Sequence, residues 1–403
     1  MRITDLVVTP VAIPLATPLL HAWGVHPGFG RVILQVVTNE GLVGLGETTL
    51  TPNGRQMEEL LRSCKSLIVG EDPFDLEKLR WKVSNPFYGR MFGPGLNLAY
   101  AAIEFACLDL QGQIVGRPIY DLLGGKMRER VPVSAYVFYE SPSGMDQVSP
   151  WEEADARIVE KCVELVEGKG CTAIKFKGGV YPPDLEAQTV LHLRERLPGV
   201  PIRLDPNSSW SLTTAVRIAH RLSDCGLEYL EDPVWGIPAM AKLKRLAPWM
   251  PLASNMACFG YEDVGPSTLL DAVDVVLADP HWYGGLRSTL ALARVCEAFG
   301  LDMGMHSGTE FGVSLAAVLH LAAALPSIHH APDVHYHYLG DDVIQGGPLP
   351  YEQGTIRVPQ GPGLGVKLDP DKLAQYNQIY EWYVSTTTSG EPRQMPLYIK
   401  ARW

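Results

Sequence analysis

Apolar and polar positions alternate through the first fifty or so residues, in "RITDLVVTPVAIPL" and again in "RVILQVVTNEGLVGLGETT". Residues two apart on a strand share a face, so the alternation predicts strands, with Asn39-Glu40-Gly41 as the hairpin turn. The period then changes. "NGRQMEELLRSCKSLIVG" and "LNLAYAAIEFACLDLQGQIVG" carry apolar residues at helical spacing, and the second runs into Gly116-Arg117-Pro118, a helix stop. The first third of the chain therefore reads as an α+β block.

Beyond Val131 short apolar runs alternate with helical stretches. The runs are "VPVSAYVFY", "TAIKFKGG", "PIRLDPN", "LEYLEDP", "PLASNM", "DVVLADP", "DMGMHSG" and "IHHAPDV"; helices are predicted over "EAQTVLHLRERL", "LTTAVRIAHRLSDC" and "RSTLALARVCEAFG". A strand recurring every 25 to 30 residues or so, with a helix between, predicts a parallel (β/α)8-type barrel. A doubly wound open sheet is the structural competitor.

Composition narrows the function. At 403 residues and 46% hydrophobic content the chain can bury a sizeable core, and its formal net charge of −11, without a run of Lys and Arg, argues against a nucleic-acid surface. The seven cysteines are scattered and never form a C-x-x-C pair, so neither a disulfide framework nor a structural zinc site is indicated. No segment approaches the ~20 apolar residues of a membrane span, and the N-terminus lacks a signal-peptide pattern. A cytoplasmic protein is expected.

In a parallel barrel the chemistry sits at the C-terminal strand ends. Here those ends carry Lys175 and Lys177, Asp205 and Asn207, Glu231, Asn255, Asp279 and His306. Asp and Asn also form turns, so any one alone reads as structural. Together they suggest a site. Asp205, Glu231 and Asn255, on successive strands, offer hard oxygen ligands suited to Mg²⁺. Lys175 and Lys177 face one way, and a lysine beside another cation and a metal is disfavoured in its charged form, so Lys177 is the candidate base, with Lys175 tuning it or contacting a metal-bound carboxylate. His306, oriented by Asp279, is a second acid/base across the barrel.

The KxK strand, "LDPN", "LEDP", "SNM", "LADPHW" and "HSG", with "GLVGLGE" near the start, "LLGG" before the barrel and "GPGLGVKLD" near the end, resemble the enolase superfamily and within it the glucarate dehydratase group. Asn255 as third ligand is the specific clue. The resemblance implies a modified (β/α)8 barrel, (β/α)7β, over residues 131–370. An α+β capping domain with a substrate-specificity loop would span 1–130, and 371–403 would return to it. It also implies Asp205, Glu231 and Asn255 as Mg²⁺ ligands, Lys177 and His306 as acid/base groups on opposite faces, Asp279 as the partner of His306, and Lys175 and Asn207 in support. "LLHAWGVHPGFGR" resembles a lid loop, with His21 and His26 as substrate contacts alongside Tyr136, Phe138, Ser307 and His335. The sequence departs from the pattern at His21, where an asparagine is expected, and in "SGTEF", which lacks asparagines.

The reaction so implied is dehydration of an acid sugar: Lys177 removes the proton α to a carboxylate, and His306 protonates the departing β-hydroxyl. A racemase or epimerase working through the same enediolate is one alternative. A non-catalytic sugar-acid-binding paralogue is another. The partner is then a small mono- or dicarboxylate acid sugar, and a homo-oligomer is expected by resemblance.

Overall fold

A computed structural model describes residues 1–22, 24–49, 55–85, 95–141, 148–326 and 328–388, without the side chains of 383 and 385–388. Trp23 of the expected lid and Arg402 of the tail lie outside the described residues.

Strands β1 (Ile3–His21), β2 (Gly24–Thr38) and β3 (Val43–Thr49) form an antiparallel meander. The predicted turn is present: Gly41, at φ +79°, donates its N–H to Thr38 O at 3.1 Å. The helix Gly95–Val115 lies flat on β3 for a reason legible in "GLVGLGE". A Cβ on Gly44 would stand 2.1 Å from Ala106 O, and one on Gly46 2.0 Å from Ala102 O, so the two bare positions let helix and strand backbones touch.

The expected lid is a hairpin rather than a loop. β1 and β2 stay paired to the tip, with Leu19 opposite His26, Leu20 opposite Val25 and His21 opposite Gly24. The end of β1 also pairs antiparallel with the first barrel strand, Leu19 opposite Glu140 and Leu20 opposite Tyr139. The capping domain thus joins the barrel sheet directly.

The predicted first barrel strand divides in two. β4 (Arg130–Pro132) leaves the barrel to pair with β13 (Thr355–Arg357), which in turn pairs with β12 (Tyr351–Glu352). The barrel itself is β5 (Ala135–Glu140), β6 (Ile174–Lys177), β7 (Ile202–Asp205), β8 (Tyr229–Glu231), β9 (Leu252–Ser254), β10 (Val275–Ala278) and β11 (Asp302–Met305), parallel and neighbouring in chain order. "IHHAPDV", expected as an eighth strand, forms no ladder. Single bonds close the circle there: Asp333 N to Met305 O and Ser134 N to Pro332 O, each 3.0 Å. The seven strands with this bonded closing segment are the (β/α)7β form, not an open doubly wound sheet.

The register stacks the inward side chains in layers. Phe138, Lys177 and Asp205 are successive partners in one, and Tyr136, Lys175 and Arg203 in the one below, with Tyr229 beside Arg203. Tyr229, Ala253, Val275 and Leu277 make a small apolar cluster separate from the main core. Beside it the interior is charged. Gly363, at φ +69°, packs against Asp109 of the Gly95–Val115 helix, which explains the middle glycine of "GPGLGVKLD". The helix Pro370–Thr388 lies along β1, where Asn377 Nδ2 donates to Pro10 O at 2.8 Å. Among the described residues no helix is long and apolar enough to cross a membrane.

Candidate active site

Lys175 and Lys177 point into the barrel from adjacent layers. The Lys175 ammonium lies 2.6 Å from Glu231 Oε2, 2.7 Å from Asp333 Oδ2 and 3.6 Å from Asp205 Oδ2, over the Tyr136 ring at 4.6 Å. Burial pushes that ammonium down, but Asp333, Glu231 and Asp205 more than reverse it and hold it well above the ordinary lysine value. Lys177, one layer nearer the mouth, is 2.6 Å from Asp205 Oδ2. Lys175 thus reaches the carboxylates of the expected metal site, Asp205 and Glu231, and Asp333 makes a third beside it.

Asp205 ends β7. Its Oδ1 accepts from Asn207 N at 2.9 Å and its Oδ2 from Tyr136 Oη at 3.4 Å. Burial would raise its pKa, but Lys177 and Lys175 hold it below the usual carboxylate value. Asn207 and Ser208 turn at φ 55° and 58°, and Asn207 Nδ2 reaches Met256 Sδ at 3.3 Å. Glu231, ending β8, is different: its Oε1 is buried and meets no donor, and burial with the adjacent Asp205 pushes its pKa well above the usual range. Asn255 follows β9. Its N–H and that of Met256 donate to Asp232 Oδ2 at 2.9 and 3.1 Å, while Ser254 Oγ donates to Asp232 Oδ1, so Asp232 shapes the turn that carries Asn255. Two carboxylates and an amide on adjacent strand ends, one with a buried oxygen short of a positive partner, fit a small divalent cation.

The histidine side differs from the expectation in one respect. Asp279 serves two imidazoles: Oδ2 is 3.2 Å from His306 Nδ1, and Oδ1 is 2.7 Å from His281 Nδ1 and accepts His281 N at 2.8 Å. His306 is thus not its only partner. Asp279, His281 and Glu310 bring ligand-type atoms within 4.8 Å of one another, yet hydrogen bonds to His306, Arg31, Ser314, Ser307 and Gly308 already engage them.

Of the residues expected to touch substrate, Tyr136, Phe138, Ser307 and His335 form one packed wall. The His335 ring packs tilted against Tyr136 and Phe138, with centroids 4.4 and 5.1 Å away, and its Nδ1 meets Ser307 Oγ at 2.6 Å. Burial, aided by His306, Lys177 and Lys175, pushes His335 well below the ordinary histidine value. His21 and His26 stack at 4.2 Å on the hairpin tip. Burial lowers both, His26 to about 4, with Lys177 adding to the effect. Between them Ala22 rests on Gly179, where a Cβ would come within 2.6 Å of it.

Sequence reasoning passed over four residues of this site. Asp333 stood at a strand end in "HHAPDV" and His281 two residues after Asp279, so both carried a local signal. Arg31 and Glu47 carried none, since their partners lie some 250 residues away along the chain.

The family description "Mandelate racemase / muconate lactonizing enzyme, N-terminal domain" matches residues 3–124, and "Enolase C-terminal domain-like" matches residues 157–372. A probable glucarate dehydratase of Streptomyces coelicolor is 39% identical over 397 residues, covering 93% of this chain and 90% of its own. A chloromuconate cycloisomerase of Cupriavidus pinatubonensis is 29% identical over 86% of this chain and 90% of its own. Among solved structures, an enolase from Pseudomonas fluorescens Pf0-1 with bound magnesium, potassium and tartrate superposes with a TM-score of 0.88 at 35% identity, covering 100% of this chain and 99% of that one. The chain belongs to the mandelate racemase/muconate lactonizing enzyme family of the enolase superfamily.

Proposed function

We propose that the protein is a Mg²⁺-dependent dehydratase of an acid sugar. The observation that carries the reading is the buried Glu231 Oε1, without a donor, between Asp205 and Asn255, with Lys177 to one side and the Asp279–His306 pair to the other. The 39% identity to a probable glucarate dehydratase and the magnesium and tartrate of the Pseudomonas relative support the choice of metal and substrate class.

Asp205, Glu231 and Asn255 would hold the ion, which supplies positive charge where a substrate carboxylate becomes an enediolate. Lys177, held on the Asp205 side of the mouth, takes the proton on the carbon α to that carboxylate. Lys175, kept cationic by its carboxylates, fixes Glu231 and Asp205 in place. His306, with Nδ1 turned to Asp279, keeps Nε2 for the departing β-hydroxyl, which accepts a proton and leaves as water. The enol then becomes a 2-keto-3-deoxy acid. His21 and His26, on a hairpin anchored to β5, present imidazoles toward Lys177 and close the site on the substrate's far end.

Incubating the protein with Mg²⁺ and a panel of mono- and diacid sugars in D2O, scoring keto acid and α-deuterium together, tests this. Keto-acid formation from a diacid sugar is the expected result. Deuterium exchange with no loss of water would replace the reading with an epimerase, and no product and no exchange across the panel would favour a non-catalytic binding role.

A further inference from the structure

Arg31 of β2 is wholly buried and reaches from the capping domain into the barrel. Its Nε donates to Glu47 Oε1 at 2.7 Å, its Nη1 to Gly308 O at 2.8 Å, and its Nη2 contacts His281 Nε2 at 3.0 Å and Ser314 Oγ at 3.3 Å. Glu47, the acid of "GLGE", also accepts Phe311 N and Ser314 N, each at 2.8 Å, at the start of the helix Gly312–Ala324. Two residues of one domain thereby grip both ends of the 308–311 turn, just after His306.

A guanidinium can only donate, so His281 Nε2 must accept from Arg31 and the His281 proton sits on Nδ1. That proton points at Asp279 Oδ1, 2.7 Å away. With Oδ1 engaged by His281 Nδ1 and by His281 N, the carboxylate cannot rotate, and Oδ2 stays facing His306 Nδ1. Without Arg31 the proton can move to Nε2 and pair with Ser314 Oγ, 2.8 Å away. Two lone pairs would then face each other across 2.7 Å, and the carboxylate would have to turn away.

We infer that Arg31 is a positioning residue of the acid/base pair: through the tautomer of His281 it holds Asp279 toward His306, so the histidine is in working order only when the capping domain is docked. The inference rests on the proposed role of His306, but its test uses no substrate, so the two can fail separately.

The test follows the pH dependence of carbethoxylation of His306 by diethyl pyrocarbonate, read by peptide mass spectrometry. The groups facing His306 are Asp279 and, more distantly, His335. His192, paired with Asp155 on the helix Pro183–Arg196 far from the site, is the internal control. Losing an oriented carboxylate should lower the His306 midpoint by about one pH unit in the charge-free pair Arg31→Met/Glu47→Gln. His281→Gln should lower it similarly, combining all three should add nothing further, and the His192 midpoint should stay put. Arg31→Lys, which keeps the charge but cannot span the four acceptors, covers the case in which the double variant fails to fold; it should fall in between. An unmoved His306 midpoint in folded Arg31→Lys and His281→Gln proteins would reduce Arg31 to a structural tie and overturn the inference.

Discussion

On the β6–β8 side of the barrel mouth each charge finds its partner inside the barrel. Lys175 has Glu231 and Asp333, Lys177 has Asp205, and Arg203 has Asp333 at 3.0 Å and Glu228 at 2.6 Å. The β10–β11 side is completed from outside. Arg31 and Glu47 reach His281 and the turn after His306, and Glu104 of the helix Gly95–Val115 accepts the Leu286 N–H at the head of the helix that follows Asp279. One side is rigid through its own ion cluster, whereas the other takes its order from a second domain. A chemistry using both must keep the two domains docked, while a reaction needing only the lysine side need not.

Single substitutions can separate the sides. Lys177→Met should abolish both α-deuterium incorporation and keto-acid formation, a loss of at least about 10³-fold, because the proposed proton transfer from the α carbon runs through its Nζ. His306→Asn should slow water loss by about 10²- to 10⁴-fold yet leave α-deuterium incorporation running through Lys177. If His306→Asn stopped exchange as well, the division of labour between the two sides would be wrong.

The next effect is on stability. Asp333 is fully buried between Lys175 and Arg203, with Ser134 Oγ donating to its Oδ1 at 3.0 Å. Asp333→Asn leaves two buried cations facing an amide, and removing one member of such a cluster costs about 3–5 kcal/mol. Urea unfolding should show that loss. The Arg31→Met/Glu47→Gln pair, which removes both charges together, should cost less; a smaller loss for Asp333→Asn would mean that packing, not the ion cluster, holds the lysine side.

The same division explains what could be read from the chain alone. The lysine side lies on consecutive strand ends, so Lys175, Lys177, Asp205, Glu231 and Asn255 announced themselves by order and spacing. The lid was expected as a loop by resemblance alone, and pairing with β1 makes it a hairpin. The eighth strand was misread because "IHHAPDV" carries the apolar ends of a strand, yet Pro332 has no N–H for a ladder. Arg31 looked like any polar residue on an alternating strand. Only tertiary structure places it against His281, 250 positions away.

The smallest effect probes the outer support of the histidine side. Glu104 is buried so tightly that a Cβ on Gly285 would lie 2.0 Å from its Oε2. Burial raises its pKa to about 7, against the pull of the Leu286 N–H and Arg287. An acid whose pKa is higher folded than unfolded binds its proton more tightly in the native state. Its contribution is therefore fully present below the unfolded value of 4.5 and is lost as pH rises through about 7. That rise of the pKa corresponds to a decline of about 3 kcal/mol across the window. Asp109, Asp232 and Asp342, each raised to about 6 by burial, slope the same way, so the informative quantity is the difference between wild type and Glu104→Gln. Unfolding at pH 5 and pH 7.5 should show a smaller decline in the variant. Protection of residues 279–286 against hydrogen exchange, corrected for the intrinsic rise of amide exchange with pH, should fall with pH in the wild type and much less in the variant, because loosening of this contact frees the turn that carries Asp279. An equal decline in both proteins would show that Glu104 titrates without consequence, and the outer support of this side would then rest with Arg31 and Glu47.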